Sequence, residues 1–154
     1  MDLTVQQTLQ LLYLLSSNKK GVCLSSSECT SEGGKTNDGA DRIVEAWPGR
    51  IRQIFCAHDC RCGEGSDHCC GKATDMMCSE AGGAATLAGR EVAEWVMRNR
   101  DELRLGYVIW GQKIWHVKKD EEMGWDKWRT MEDRKDVTQN HWDHVHVSYR
   151  QEES

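Results

Sequence analysis

Across residues 83–103 the apolar side chains Leu87, Ala88, Val92, Trp95 and Val96 recur at helical spacing, and Arg90, Glu91, Glu94 and Arg98 take the polar positions between them. This pattern predicts the clearest helix in the chain. Residues 105–110 and 113–117 are strand-like runs joined by Gly111-Gln112, a connection short enough for a hairpin. The last run, residues 144–149, alternates with period two and places His144, His146 and Ser148 on one face of a strand, with Val145 and Val147 on the other. Upstream, Ile43, Val44, Trp47, Ile51, Ile54 and Phe55 flank Pro48-Gly49 and predict a short helix, a break, then a strand or second short helix. Residues 16–41 read as a polar loop pinned by Cys23 and Cys29, and residues 118–140 as a polar, tryptophan-bearing loop. Together these elements predict an α+β class, a small antiparallel sheet with packed helices.

At 154 residues the chain fits one domain, expected over residues 21–150, with residues 1–20 a possible signal or poorly ordered segment. The apolar stretch 9–15 is far short of the ~20 residues that cross a bilayer, so no transmembrane helix is expected. The same stretch suits a secretory signal or a short amphipathic helix on Val5, Leu9 and Leu12 equally well. A formal charge of -5 without a Lys/Arg cluster excludes a nucleic-acid partner as the natural expectation. Eight cysteines lie between Cys23 and Cys78 and none follows, which predicts a disulfide-stapled N-terminal half, four disulfides and a secreted protein.

Candidate chemistry concentrates in two short segments, Ser66-Asp-His68-Cys-Cys-Gly71-Lys-Ala73-Thr-Asp75 and Asp143-His144-Val-His146. Zinc accepts imidazole nitrogen and carboxylate oxygen, and catalytic sites combine three protein ligands with an open position. His68, Asp75 and a histidine of the last strand would supply such a Zn2+ set; alternation puts His144 and His146 on one face and does not choose between them. Asp143 could take a proton from the attacking water. A thiolate zinc cluster on Cys56, Cys60, Cys62, Cys69 and Cys70 is the rival use of the cysteines, disfavoured by their irregular spacing. His141 reads as a loop residue, His58 and His116 as structural or solvated, and the tryptophans mainly as core. Arg50 and Arg52 are candidate carboxylate clamps, with a solvated surface role as the simpler reading.

Residues 66–75 fit the S-x-H-x-x-G-x-A-x-D pattern of the zinc D-alanyl-D-alanine carboxypeptidase family, which includes the zinc-bearing domain of hedgehog proteins. The C-terminal DHVHVS run resembles secreted fungal and actinobacterial members. The resemblance implies zinc on His68, Asp75 and His146, catalytic roles for Asp143 and His144, and Ser66 near the substrate. It further implies hydrolysis of a peptide bond, with cell-wall peptides containing D-amino acids, hence peptidoglycan, as the substrate class. Cys69-Cys70 directly after the first ligand departs from the bacterial dipeptidases and puts the substrate rim in question. Two other functions compete: a catalytically silent zinc-containing binding or effector module, and a metal-free disulfide-stapled protein.

Overall fold

The computed structural model describes residues 22–23, 35–56, 65–79 and 88–150. The expectations placed on residues 1–20, Cys29, His58, Cys60 and Cys62 lie outside the described residues. Among the described residues, seven strands form one sheet: β1 (Val22–Cys23), β2 (Gln53–Phe55), β3 (Ala73–Met77), β4 (Leu105–Trp110), β5 (Lys113–His116), β6 (Arg129–Thr130) and β7 (His144–Tyr149). Their order is β1-β2-β3-β7-β4-β5-β6, and every neighbouring pair is antiparallel. Two α-helices are present among the described residues, α1 (Lys35–Ala46) and α2 (Arg90–Arg98).

The expected fold class is corrected by this architecture. The chain is not a small sheet under packed helices; the antiparallel sheet is the body of the fold, and both helices are short. Within the described part of the helical pattern, the helix runs from Arg90 to Arg98, and Asn99 ends it: the Asn99 backbone N–H and side-chain amide both donate to the Trp95 carbonyl, at 3.0 and 2.8 Å. Arg104 then turns into β4 with φ 52. The loop expected over residues 16–41 also gives way, since α1 begins at Lys35. The staple is corrected too. Cys56, Cys69 and Cys70 are disulfide-bonded, but Cys78 is a free, buried thiol, so the eight cysteines do not close into four bridges.

One face of the sheet is the core. Met76, Val108, Trp110, Trp115, Val145, Val147 and Tyr149 are buried there, and both helices pack on it. Gly39 of α1 lies against the Tyr149 ring, and Gly89, which caps α2, lies against the Trp110 indole. A register shift between Leu105 and Tyr107 brings Leu105, Val108 and Trp110 to the same side. The hairpin of β4 and β5 turns at Gly111 and Gln112, both in the left-handed region with φ 56 and 62, the conformation a two-residue type I′ turn requires. Alternation sends His144, His146 and Ser148 of β7 and Asp75 of β3 to the opposite face. That face carries the chemistry.

Candidate metal centre

The pairing of β3 with β7 sets Asp75 directly across from His146. His68 reaches the same point from the 3-10 helix Asp67–Cys70, whose start is capped by the Ser66 hydroxyl accepting from the His68 N–H at 3.3 Å. Gly71 ends that turn with φ 62, a left-handed position at which a side chain is strained, and donates to the His68 carbonyl at 3.0 Å. Three atoms converge: His68 Nε2 and Asp75 Oδ1 are 3.1 Å apart, His68 Nε2 and His146 Nδ1 3.2 Å, His146 Nδ1 and Asp75 Oδ1 2.9 Å. All three side chains are at least mostly buried.

The protonation of this triangle is constrained by its surroundings. His68 Nδ1 donates to the Cys56 carbonyl at 2.7 Å, which leaves Nε2 of the neutral ring as a bare lone pair. That lone pair faces a carboxylate oxygen and a second imidazole nitrogen, and only a shared proton or a cation reconciles them. Burial pushes the His68 pKa down, yet the hydrogen bond and charge of Asp75 outweigh it and the net shift is upward. Burial likewise opposes ionisation of Asp75, but hydrogen bonds from His146 and His68 hold it well below the usual carboxylate range. Two nitrogens and one oxygen also suit zinc in kind, and a tetrahedral ion with ligands at about 2.0–2.1 Å separates them by about 3.3 Å, close to the observed edges.

The remaining site residues surround the triangle. His144 Nδ1 donates to Asp143 Oδ1 at 2.6 Å, which turns His144 Nε2 toward the cluster, 3.6 Å from Asp75 Oδ1. Asp143 is fully buried, and its other oxygen accepts from the Thr138 hydroxyl at 2.7 Å. Asp143 is thus occupied in orienting His144, and it is the imidazole that faces the cluster. His141, read from sequence as a loop residue, packs against both histidines, with ring centroids 4.8 Å from His144 and 5.7 Å from His146. Its backbone is left-handed, φ 58, and its Nδ1 is buried without a hydrogen-bond partner. Burial, then the neighbouring His144 and His146, push its pKa down to about 3, so the ring is neutral. The signal that could have found it is spacing, because His141, Asp143, His144 and His146 fall within six residues.

Ser66 is half-buried and caps the turn that carries His68. Arg50 is not free to clamp a ligand: it pairs with Glu91 at 2.8 Å, donates to the Ala88 carbonyl and lies over the Trp47 ring. Arg52 is exposed, and its backbone N–H joins the Met77 carbonyl at 2.8 Å. His116 is part of the β5 turn, where its Nδ1 accepts from the Lys118 N–H. Trp110, Trp115 and Trp128 are buried, while Trp125 and Trp142 pack on Trp110 at 4.9 and 5.3 Å.

A family described as the VldE C-terminal domain matches residues 28–142. The chain belongs to the VldE C-terminal domain family. That match takes in His68 and Asp75 and ends just before Asp143, so the second half of the centre lies beyond it. A secreted protein of Arthroderma benhamiae is 52% identical over 119 residues, covering 68% of this chain and 49% of the relative. The chain therefore spans about half the length of the curated relative that it matches. No solved structure matches this VldE-type domain. Among the described residues, no helix is long and apolar enough to cross a membrane.

Proposed function

We propose that this protein is a secreted, zinc-dependent hydrolase of peptide bonds, in which His68, Asp75 and His146 hold the ion. Secretion accords with the fungal relative and with the disulfide-bonded Cys56, Cys69 and Cys70. The observation that carries the reading is the convergence of His68 Nε2, Asp75 Oδ1 and His146 Nδ1 at 2.9–3.2 Å, with the Cys56 carbonyl accepting from His68 Nδ1 and so directing Nε2 to the centre. Zinc, when bound, supplies a Lewis acid that polarises a carbonyl and makes water a nucleophile at neutral pH.

The chain's own residues supply the rest. The hydrogen bond of His144 Nδ1 to Asp143 turns Nε2 toward the centre, where this nitrogen would accept the proton released as water attacks. Asp143 holds the ring in that tautomer and favours the imidazolium that forms, and Thr138 keeps the carboxylate in place. The neutral His141 packs its ring on His144 and His146 and so keeps that side of the centre uncharged. The resemblance of residues 66–75 and 143–148 to the D-alanyl-D-alanine carboxypeptidase and hedgehog family supports the metal set, and it supplies the substrate class, peptidoglycan peptides containing D-amino acids. The same family resemblance gives Ser66 a place beside the substrate.

Mass spectrometry of cell-wall peptides incubated with the zinc-loaded protein tests this reading. We expect cleavage by the wild type, a loss of about 10²–10⁴-fold in His144→Ala and a large loss in Asp143→Asn, both with zinc retained. Full activity in His144→Ala would remove the proposed base. Zinc-loaded wild type that cleaves no wall peptide would instead place the domain among silent binding modules.

A further inference from the structure

Asp67 is unused by the chemistry above, yet it joins the two halves of the centre. It opens the 3-10 helix that carries His68, and its backbone carbonyl accepts from the Gly71 and Lys72 N–H groups, the latter at 2.9 Å. Its side chain leaves that helix and crosses to the sheet, where Oδ2 accepts from the Ser148 hydroxyl at 2.5 Å. The Tyr107 hydroxyl hydrogen-bonds to the same carboxylate. Both partners flank His146. Ser148 lies two residues further along β7 on the same face, and the Tyr107 ring stacks on the His146 imidazole at 5.5 Å with 17° between planes. Tyr107 and Ser148 are themselves register partners between β4 and β7.

We propose that Asp67 is a positioning residue for the metal centre: its carboxylate locks the His68 turn onto the two side chains that bracket His146, and so fixes the His68–His146 separation. This rests on the zinc reading above. The other contacts of the His68 turn explain why the lock is needed. Ser66 and Gly71 shape the turn internally, and the Cys56 carbonyl, next to β2, orients the ring. Lys72 does reach β7 through the Tyr149 N–H at 2.8 Å, beyond Ser148 and farther along the strand from His146. A link through side chains on the metal face sets ligand spacing in a way that the backbone bond does not, and loss of such outer partners typically weakens metal binding about 10–100-fold.

Zinc affinity measured by chelator competition, together with the visible spectrum of the cobalt-substituted protein, tests the proposal. Asp67→Ala should raise the zinc Kd about 10–100-fold and alter the cobalt absorption; Ser148→Ala should shift both in the same direction by less. The double variant should bind no worse than Asp67→Ala alone, because the two changes remove one link. Thr74→Val, which breaks the Thr74–Tyr149 hydrogen bond on the core face, should lower Tm and leave the Kd unchanged. Should Asp67→Ala not fold, Ser148→Ala and Tyr107→Phe carry the test. Variants of Asp67 or Ser148 that keep the wild-type Kd and cobalt spectrum overturn the positioning role. A wild type that takes up neither zinc nor cobalt in the same titration overturns the metal reading, and this proposal with it.

Discussion

The Cys78 thiol is 6% exposed, and its N–H donates to the Asp143 carbonyl at 2.9 Å, so it is part of the joint between β3 and the loop before β7. Burial pushes its pKa up to about 11 despite the nearby Arg50 charge, which keeps it protonated at ordinary pH. Only the thiolate reacts, and at pH 8 it is about a thousandth of the total for such a pKa. Iodoacetamide should therefore leave Cys78 unmodified in the folded protein and label it promptly in denaturant, as peptide mass spectrometry reads out. Rapid labelling of the folded chain, or a disulfide at Cys78, would contradict this environment. Evenness of the cysteine count suggests full pairing, and nothing in the sequence marks Cys78 as a buried thiol instead. Site residues differ in legibility for a similar reason. His68, Asp75 and His146 have types and spacings that suit a metal, whereas the roles of His141, Asp143 and Asp67 depend on which atoms their side chains meet. Asp143 looks from sequence like a spare carboxylate near the water; in the fold His144 and Thr138 take up its oxygens.

Helix α1 shows where propensity and packing compete. Gly39 lies inside it, and replacing a helical glycine by alanine ordinarily stabilises by about 1 kcal/mol. A Cβ at Gly39, however, would stand 2.2 Å from Cε1 of Tyr149. That ring is 5% exposed and its hydroxyl is tied to Thr74 at 2.8 Å, so it has nowhere to move. The clash should win. Gly39→Ala is expected to destabilise by about 1–3 kcal/mol in urea unfolding, and a more stable variant would contradict the packing of α1 on β7. At this scale the strands β4, β5 and β7 were legible because alternation and the Gly111-Gln112 turn are local signals. The two-residue strands β1 and β6 carry no period to detect. The helix around Arg90 was legible as a helix but not in length, since its end is set by an asparagine bonding back to Trp95 and not by the apolar pattern.

The molecule as a whole is a two-sided sheet, with helices and tryptophans burying one face and the histidines and carboxylates gathered on the other. Its topology brings the C-terminal β7 into the middle, between β3 and β4, and this insertion alone sets Asp75 beside His146 across 71 residues of chain. No local pattern announces that pairing, so residue types pointed to a centre while the sheet that assembles it, and the class of fold it makes, did not follow from periodicity. The central claim is that the assembled triangle holds one zinc ion. Elemental analysis of protein purified with zinc and freed of excess metal tests it most directly, on the wild type and on His68→Ala, Asp75→Ala and His146→Ala. The account predicts about one zinc per wild-type chain and a marked loss in each variant, because two remaining ligands hold the ion poorly. Wild-type protein without zinc, or variants that keep a full equivalent, would contradict it.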